Sequence, residues 1–154
     1  MCLSSPKKII QSNDITCYKV FFKYNDSSLF KKLLNYLLFH NKILISYFRG
    51  SKYKLGELMK INCISPTFNY KGNVEGDAIH SFVTLEDAVD FLNITHSTHT
   101  NYKKFIPCIV KCKIPENNIF LYKGVFTLFD DYPAYASQSL IPEEIIAEFT
   151  KNDD

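Results

Sequence analysis

Apolar and polar positions change their period several times along this chain, and each change marks an element. From Ala78 to Leu92 a short apolar run, Ile79 to Phe82 around His80, gives way to apolar residues at Leu85, Ala88, Val89 and Leu92. That is the i, i+3, i+4, i+7 spacing of an amphipathic helix. Thr84 stands at the N-cap position, and Asp87, three residues on, takes the acidic place of a capping box. Glu86 and Asp87 together set negative charge at the positive end of the helix dipole. The junction predicts a buried strand that turns directly into a capped helix over Thr84 to Asn93. A second helical stripe, Leu29, Phe30, Leu33, Leu34, Leu37 and Leu38, has Lys31, Lys32 and Asn35 on its other side. It predicts a helix from Asp26 to His40 that covers one face of its own sheet. The polar side carries too few cations for a lipid-binding surface.

Stretches rich in β-branched and aromatic residues predict strands over Ile15 to Tyr24, Ile43 to Phe48, Glu57 to Cys63 and Phe105 to Ile114. Pro107 falls near the start of the last of these, where a missing donor is tolerated. Pro115-Glu116-Asn117-Asn118 reads as a turn that returns Ile119 to Lys123 as a hairpin partner. Ala134 to Ile146 reads as an edge strand, a bend at Pro142 and a terminal strand or helical turn. Residues 1–14 read as a flexible N-terminal arm or a short edge strand, Ser65 to Asp77 as a surface excursion long enough to act as a flap, and 150–154 as a frayed tail. The predicted fold class is α+β: a single domain over 15–149, with a curved, mainly antiparallel sheet of about six to eight strands and two principal helices.

Composition narrows the setting. With 154 residues, 46% of them hydrophobic, the chain has material for one core. A net charge of +2, from 18 basic and 16 acidic side chains, sets up no strong field toward nucleic acid or an anionic membrane. Phe, Tyr, Met, Ile, Asn and Lys fill 70 of the 154 positions, a bias that resembles the output of A+T-rich genomes such as those of many large DNA viruses, some phages and some low-GC microbes. Five cysteines, Cys2, Cys17, Cys63, Cys108 and Cys112, form no C-x-x-C pair. Scattered through apolar runs, they read as reduced thiols of a cytoplasmic protein, the host cytoplasm if the protein is viral. Residues 1–14 lack the apolar centre of a secretory leader, and no apolar run is long enough to span a bilayer.

Chemistry has few places to sit. Arg49 is the only arginine among 18 basic residues, and guanidinium offers a planar fork and a stacking face that ammonium lacks; chance retention in a surface loop is the plain alternative. With Tyr53 and the bent backbone around Gly50 it can hold a phosphate and an aromatic ring. The glycines lack the spacing of a phosphate-binding or dinucleotide fingerprint, and an ordinary hairpin loop is the plain reading. His80, between apolar neighbours, reads as a hydrogen-bonded interior histidine or as a base. His96 and His99 have no third ligand nearby, so no metal is expected.

Residues 43 to 146 resemble, in the order of their segments, the ADP-ribosyltransferase class. A strand leading to Arg49-Gly50 is similar to the first-strand arginine of one branch. Phe82-Val83-Thr84-Leu85-Glu86-Asp87-Ala88 resembles that family's strand followed by a helix entered through Ser or Thr. Ser137 to Pro142 resembles the edge strand that carries its catalytic Glu. The resemblance implies NAD in a cleft between two small sheets, contacted by an Arg or His, with aromatics stacked on nicotinamide and a Glu stabilising the cationic ribose. Gln138 occupies the Glu position, and an amide cannot supply negative charge beside an oxocarbenium ion. Glu143 and Glu144, beyond Pro142, are the alternative carboxylates in a different strand register. Tyr53-Lys54-Leu55-Gly56 together with Ile79 to Phe82 also resembles uncharacterised domains of giant viruses and phages.

The resulting expectation is a viral accessory protein: a non-catalytic binding module for a host protein or a small nucleotide-like ligand, with no cofactor. Its ligand would be bordered by Arg49, Tyr53, His80, Tyr135 and Gln138. One alternative is an NAD-using ADP-ribosyltransferase-like enzyme relying on Glu143 or Glu144. The other is a virion or assembly component that recruits a subunit through an exposed sheet edge.

Overall fold

Runs of β-branched and aromatic residues become strands throughout the computed structural model, which describes residues 2–24, 43–47, 50–96, 105–128 and 130–149. In chain order they are β1 (Leu3–Lys8), β2 (Ile15–Tyr24), β3 (Ile43–Ser46), β4 (Lys52–Lys54), β5 (Met59–Lys60), β6 (Thr67–Phe68), β7 (Val74–Gly76), β8 (Ile79–Phe82), β9 (Phe105–Ile114), β10 (Leu121–Thr127), β11 (Asp131–Ser137) and β12 (Ser139–Glu148). One helix, α1 (Leu85–His96), lies between β8 and β9. It starts where the sequence predicts. Thr84 Oγ1 accepts from the Asp87 N–H at 3.1 Å and donates to the Asp87 carboxylate at 2.6 Å, which satisfies one orphan donor of the first turn.

Every strand pairing among the described residues is antiparallel, and one path runs β5-β12-β9-β2-β8-β11-β10-β1-β7-β6, with the β3–β4 hairpin branching from β2. One edge of β2 pairs with β9 over its whole length, from Ile15↔Ile114 to Tyr24↔Phe105. The other edge is divided: Tyr18 pairs with Phe82 of β8, and Phe21 to Lys23 pair with β3. Only Gln138 separates β11 from β12 in the chain, yet β9, β2 and β8 lie between them in the sheet. The chain can make this step because the sheet curls into an antiparallel half-barrel.

Alternation along the strands sorts the interior into two layers. On one face α1 lays Ala88, Phe91 and Leu92 against Val20, Phe82, Ile109, Phe126 and Tyr132. On the other face Cys17, Phe21, Leu44, Tyr53, Ile79, Val110 and Tyr135 form a second cluster. The predicted inward stripe of α1 holds for Ala88 and Leu92, while Leu85 and Val89 are only partly buried and Phe91 completes the contact.

Four sequence expectations need correction. The protein is not α+β with two principal helices: the described residues are mostly sheet with one helix, and the stretch from Asp26 to His40 lies outside them. The strand count rises because segments read as loop or arm also pair. Of the two readings of residues 1–14, the strand holds for Leu3–Lys8, but it is seated between β10 and β7 rather than at an edge, with Leu3 fully buried. The expected flap is the β6–β7 hairpin. Asn69 Oδ1 accepts from the Lys71 and Asn73 N–H groups in its turn, and Val74 is fully buried opposite Leu3. The expected hairpin of Phe105 to Ile114 with Ile119 to Lys123 does not form. β9 pairs with β2 and β12, and β10 pairs with β1 and β11, so the turn after Pro115 carries the chain across the half-barrel instead of back along it.

Candidate ligand-binding site

Strand β2 brings a cation into the second core layer. Cys17, Lys19 and Phe21 share one of its faces, opposite Cys112, Val110 and Cys108 of β9. Lys19 is 5% exposed, although lysine is among the residues least often buried. Its Nζ donates to the His80 carbonyl at 2.6 Å and lies 5.7 Å from the centre of the Phe21 ring. The ammonium thus bridges β2 to β8 beside the single Tyr18↔Phe82 pair that joins those strands.

Lys19 is one of the residues that line a cavity of about 190 Å³. Lys19, Ser46, Tyr53 and His80, all buried, line its deep wall. Ser51, Met59, Ile61 and Asp77 are partly or fully exposed and surround its mouth. The turn between β3 and β4 shapes one side. Ser46 N–H donates to the Ser51 carbonyl at 2.8 Å, and Gly50 N–H to the Ser46 carbonyl at 3.0 Å. Gly50 holds φ of 63°, a conformation that glycine adopts without steric cost. Tyr53 reaches inward from β4 and meets Phe21 edge-on, with ring centroids 5.0 Å apart. At the mouth, the Asp77 carboxylate accepts a hydrogen bond from the Thr67 hydroxyl.

No protein-family model, curated protein or solved structure matches the chain.

The residues singled out from the sequence are distributed unevenly around this cavity. Tyr53 and His80 both line it. Strand alternation sets the His80 ring on the Phe82 face, and it is the main-chain oxygen of His80 that meets Lys19. Tyr135 is buried in the same layer as Tyr53, its hydroxyl pushed up by burial and then by neighbouring Cys17, but it does not line the cavity. Arg49 lies outside the described residues.

Gln138 sits elsewhere, at the floor of a more open hollow lined also by Lys60, Cys63, Ile64 and Ile119. Its Nε2 donates to the Cys63 carbonyl at 2.8 Å, its Oε1 accepts from the Ile119 N–H at 3.4 Å, and its own carbonyl accepts from the Ile61 N–H at 2.9 Å. The amide ties two connecting segments to the β11–β12 joint. Glu143 pairs with Lys113 at 3.6 Å near the surface, Glu144 is exposed opposite Lys111, and neither lines the cavity. Among the described residues no cluster of three His, Cys, Asp or Glu side chains is placed to hold a metal ion. Likewise, no helix among them is long and apolar enough to cross a membrane.

The thiols behave as small apolar side chains. Cys17, Cys108 and Cys112 are fully buried. Burial pushes the Cys17 thiol up to about 12, with the nearby Ser81 hydroxyl and Lys19 ammonium opposing the rise only in part, and it raises Cys112 well above its ordinary value. A disulfide-exchange reagent at mildly alkaline pH should therefore react in the native protein with at most the partly exposed Cys2 and Cys63, and with all five thiols in guanidinium. A third fast-reacting native thiol would contradict this packing.

Proposed function

We propose that the protein is a non-catalytic binding module, a viral accessory protein by its composition, whose cavity at Lys19 takes one end of a small nucleotide-like ligand. The observation that carries the reading is the pairing of a buried ammonium with an aromatic side chain, Tyr53, on the walls of one cavity. Apolar surface with a few placed polar groups is the usual chemistry of a ligand site. At about 190 Å³ the cavity is smaller than the roughly 300–1,000 Å³ that enclose a drug-sized molecule, so one end of a nucleotide enters and the remainder stays outside. This size disfavours the NAD-cleaving alternative, which has to envelop the nicotinamide and its ribose and exclude water. The placement of the carboxylates disfavours it too, because Glu143 and Glu144 lie away from the cavity and Gln138 is held by main-chain partners.

Thermal denaturation and calorimetry against a panel of mononucleotides test the proposal. A binder present at about a hundred times its Kd adds about 2.7 kcal/mol to stability, a readily measured shift in Tm. Ile61→Trp, a change at a partly exposed position on the mouth, should remove that shift while leaving the ligand-free Tm nearly unchanged. Absence of binding across the panel would sink the proposal. Release of nicotinamide from NAD by the folded protein would replace it with the enzymatic alternative.

A further inference from the structure

Two buried thiols meet across the β2–β9 ladder. Cys17 and Cys112 are direct partners in its register, and both are fully buried. Residues directly opposite each other in an antiparallel pair point to the same face, with Cα atoms about 4.5–5.5 Å apart. A disulfide spans Cα separations of about 4.4–6.8 Å, so the ladder already holds these two residues at bridging distance. Among the three buried cysteines no other pair stands in this relation. Cys108 faces Phe21 of β2 and Glu148 of β12. It lies four residues from Cys112 along β9, about 13 Å at the usual rise of a strand and well beyond a disulfide's reach. Cys17 lies four residues from Phe21 on β2 and is as far from Cys108. Titration reflects the closeness of the pair as well: burial raises the Cys112 thiol well above its ordinary value, and neighbouring Cys17 adds to the rise.

We propose that Cys17 and Cys112 form a disulfide site: under oxidising conditions they join β2 to β9 by a covalent bond that the folded core then shields. The oxidant is a small disulfide of the oxidised-glutathione class. One cysteine thiolate attacks a sulfur of the oxidant, whose S–S bond breaks, and the first reduced thiol leaves with a proton. The mixed disulfide left on the protein is attacked at its protein-side sulfur by the second cysteine thiolate, and the second reduced thiol leaves in the same way. Two electrons and two protons pass from the cysteine pair to the oxidant. The exchange takes place before β9 closes on β2, or when the two strands part. In the closed fold both sulfurs pack in the cluster that holds Phe21, Val110, Ile114 and Leu140. Burial there also pushes the Cys17 thiol up to about 12, which denies it the thiolate that exchange requires. The same packing keeps a reductant from the bond once it is made. The closed loop runs from β2 to β9 and takes in β3 to β8 and α1, and a loop of that length strongly constrains the unfolded chain.

The test is refolding of the full chain from guanidinium in a buffer of oxidised and reduced glutathione, followed by alkylation of the remaining thiols, proteolysis and mass spectrometry. A peptide pair joining Cys17 to Cys112 should be the dominant link. The bridged protein should have a higher midpoint in urea than the same protein refolded with reductant. Native protein placed directly in the glutathione buffer should acquire the link about tenfold or more slowly, because its thiols are shielded. Cys17→Ala and Cys112→Ala should each lose both the link and the rise in midpoint; if either variant fails to fold, the mapping of the unaltered chain still gives the answer. Incubation of native protein with oxidised glutathione in urea just below the midpoint opens the same route where refolding yields are low. Predominance of any other cysteine pair overturns the proposal. So does folded protein from the oxidising buffer in which Cys17 and Cys112 are both alkylated. A lower urea midpoint for the bridged protein overturns it too, since the native register would then not fit the bond, and equally fast linking of the native protein removes the shielding on which it depends.

Discussion

Replacing Phe82 with alanine is expected to lower the unfolding free energy by about 3–5 kcal/mol, the usual cost of emptying a buried aromatic site. Phe82 is 1% exposed and stands at the seam of the sheet, paired with Tyr18 of β2 on one side and Ala134 of β11 on the other. Its ring lies 5.2 Å from Phe91 of α1, 5.9 Å from Tyr132 and 6.3 Å from Phe126, centre to centre. Truncation leaves a void that no single neighbour can fill, because those rings are themselves held by three different elements. A domain of this size has about 5–15 kcal/mol in total, so the loss should be plain in urea denaturation as a lower midpoint with an unchanged slope. Phe68, 42% exposed on the edge strand β6, provides the contrast; its alanine variant should cost about 1 kcal/mol or less. Similar losses at the two positions would mean that the seam does not carry the weight assigned to it.

Gly124→Ala is the second large effect, and it works by crowding instead of by a void. A Cβ added at Gly124 would lie 2.4 Å from the Ser4 carbonyl oxygen and 2.9 Å from Leu3 Cγ. The nearer atom is main chain, so relief requires β1 itself to move. β1 approaches so closely because it bulges there. Its register with β10 slips between Ser4 and Lys7, and Ser5 takes φ of 48°, an unusual value for a residue with a side chain. Overpacking of this kind costs about 1–3 kcal/mol, and more when the backbone must yield. Displacing β1 also uncovers Leu3, whose own truncation to alanine should cost about 2–5 kcal/mol. If both changes act through β1, their combination in Leu3→Ala/Gly124→Ala should fall short of the sum of the two. Strict additivity in denaturant melts would show that Gly124 acts by another route.

The parts of this fold that could be read from the sequence are those whose information is local. Thr84 and Asp87 cap α1 because their side chains lie three residues apart, a relation visible without knowing anything else. The run from Phe105 to Ile114 announces a strand by its composition alone. What could not be read is which strands become neighbours. The turn after Pro115 has all the residues of a hairpin loop, yet β9 finds its partners in β2 and β12, both remote in the chain. Two-residue pairings such as β6 with β7 are too short to leave a periodic signal. The same division runs through the site. Tyr53 stands out in the sequence because glycines flank it, whereas Lys19 does not, although it stands in phase with Cys17 and Phe21 on an alternating strand. A lysine in that phase is itself a signal, but the opposite phase, Tyr18, Val20 and Phe22, is also apolar and hides the alternation. In the sequence only a resemblance marks Gln138; its hydrogen bonds to Cys63 and Ile119 give it the work of holding two connections together.

The branched position of β2 also bears on how the protein is made. β2 leaves the ribosome well before β9, which covers one of its edges from end to end and starts only at Phe105, and β12 follows later still. Until then a ten-residue strand with apolar side chains on both faces travels on the nascent chain without that neighbour. Pairings this distant slow folding, because the closing of long loops precedes the contacts that reward it. The newly made polypeptide should therefore depend on chaperones for longer than a helical chain of equal length.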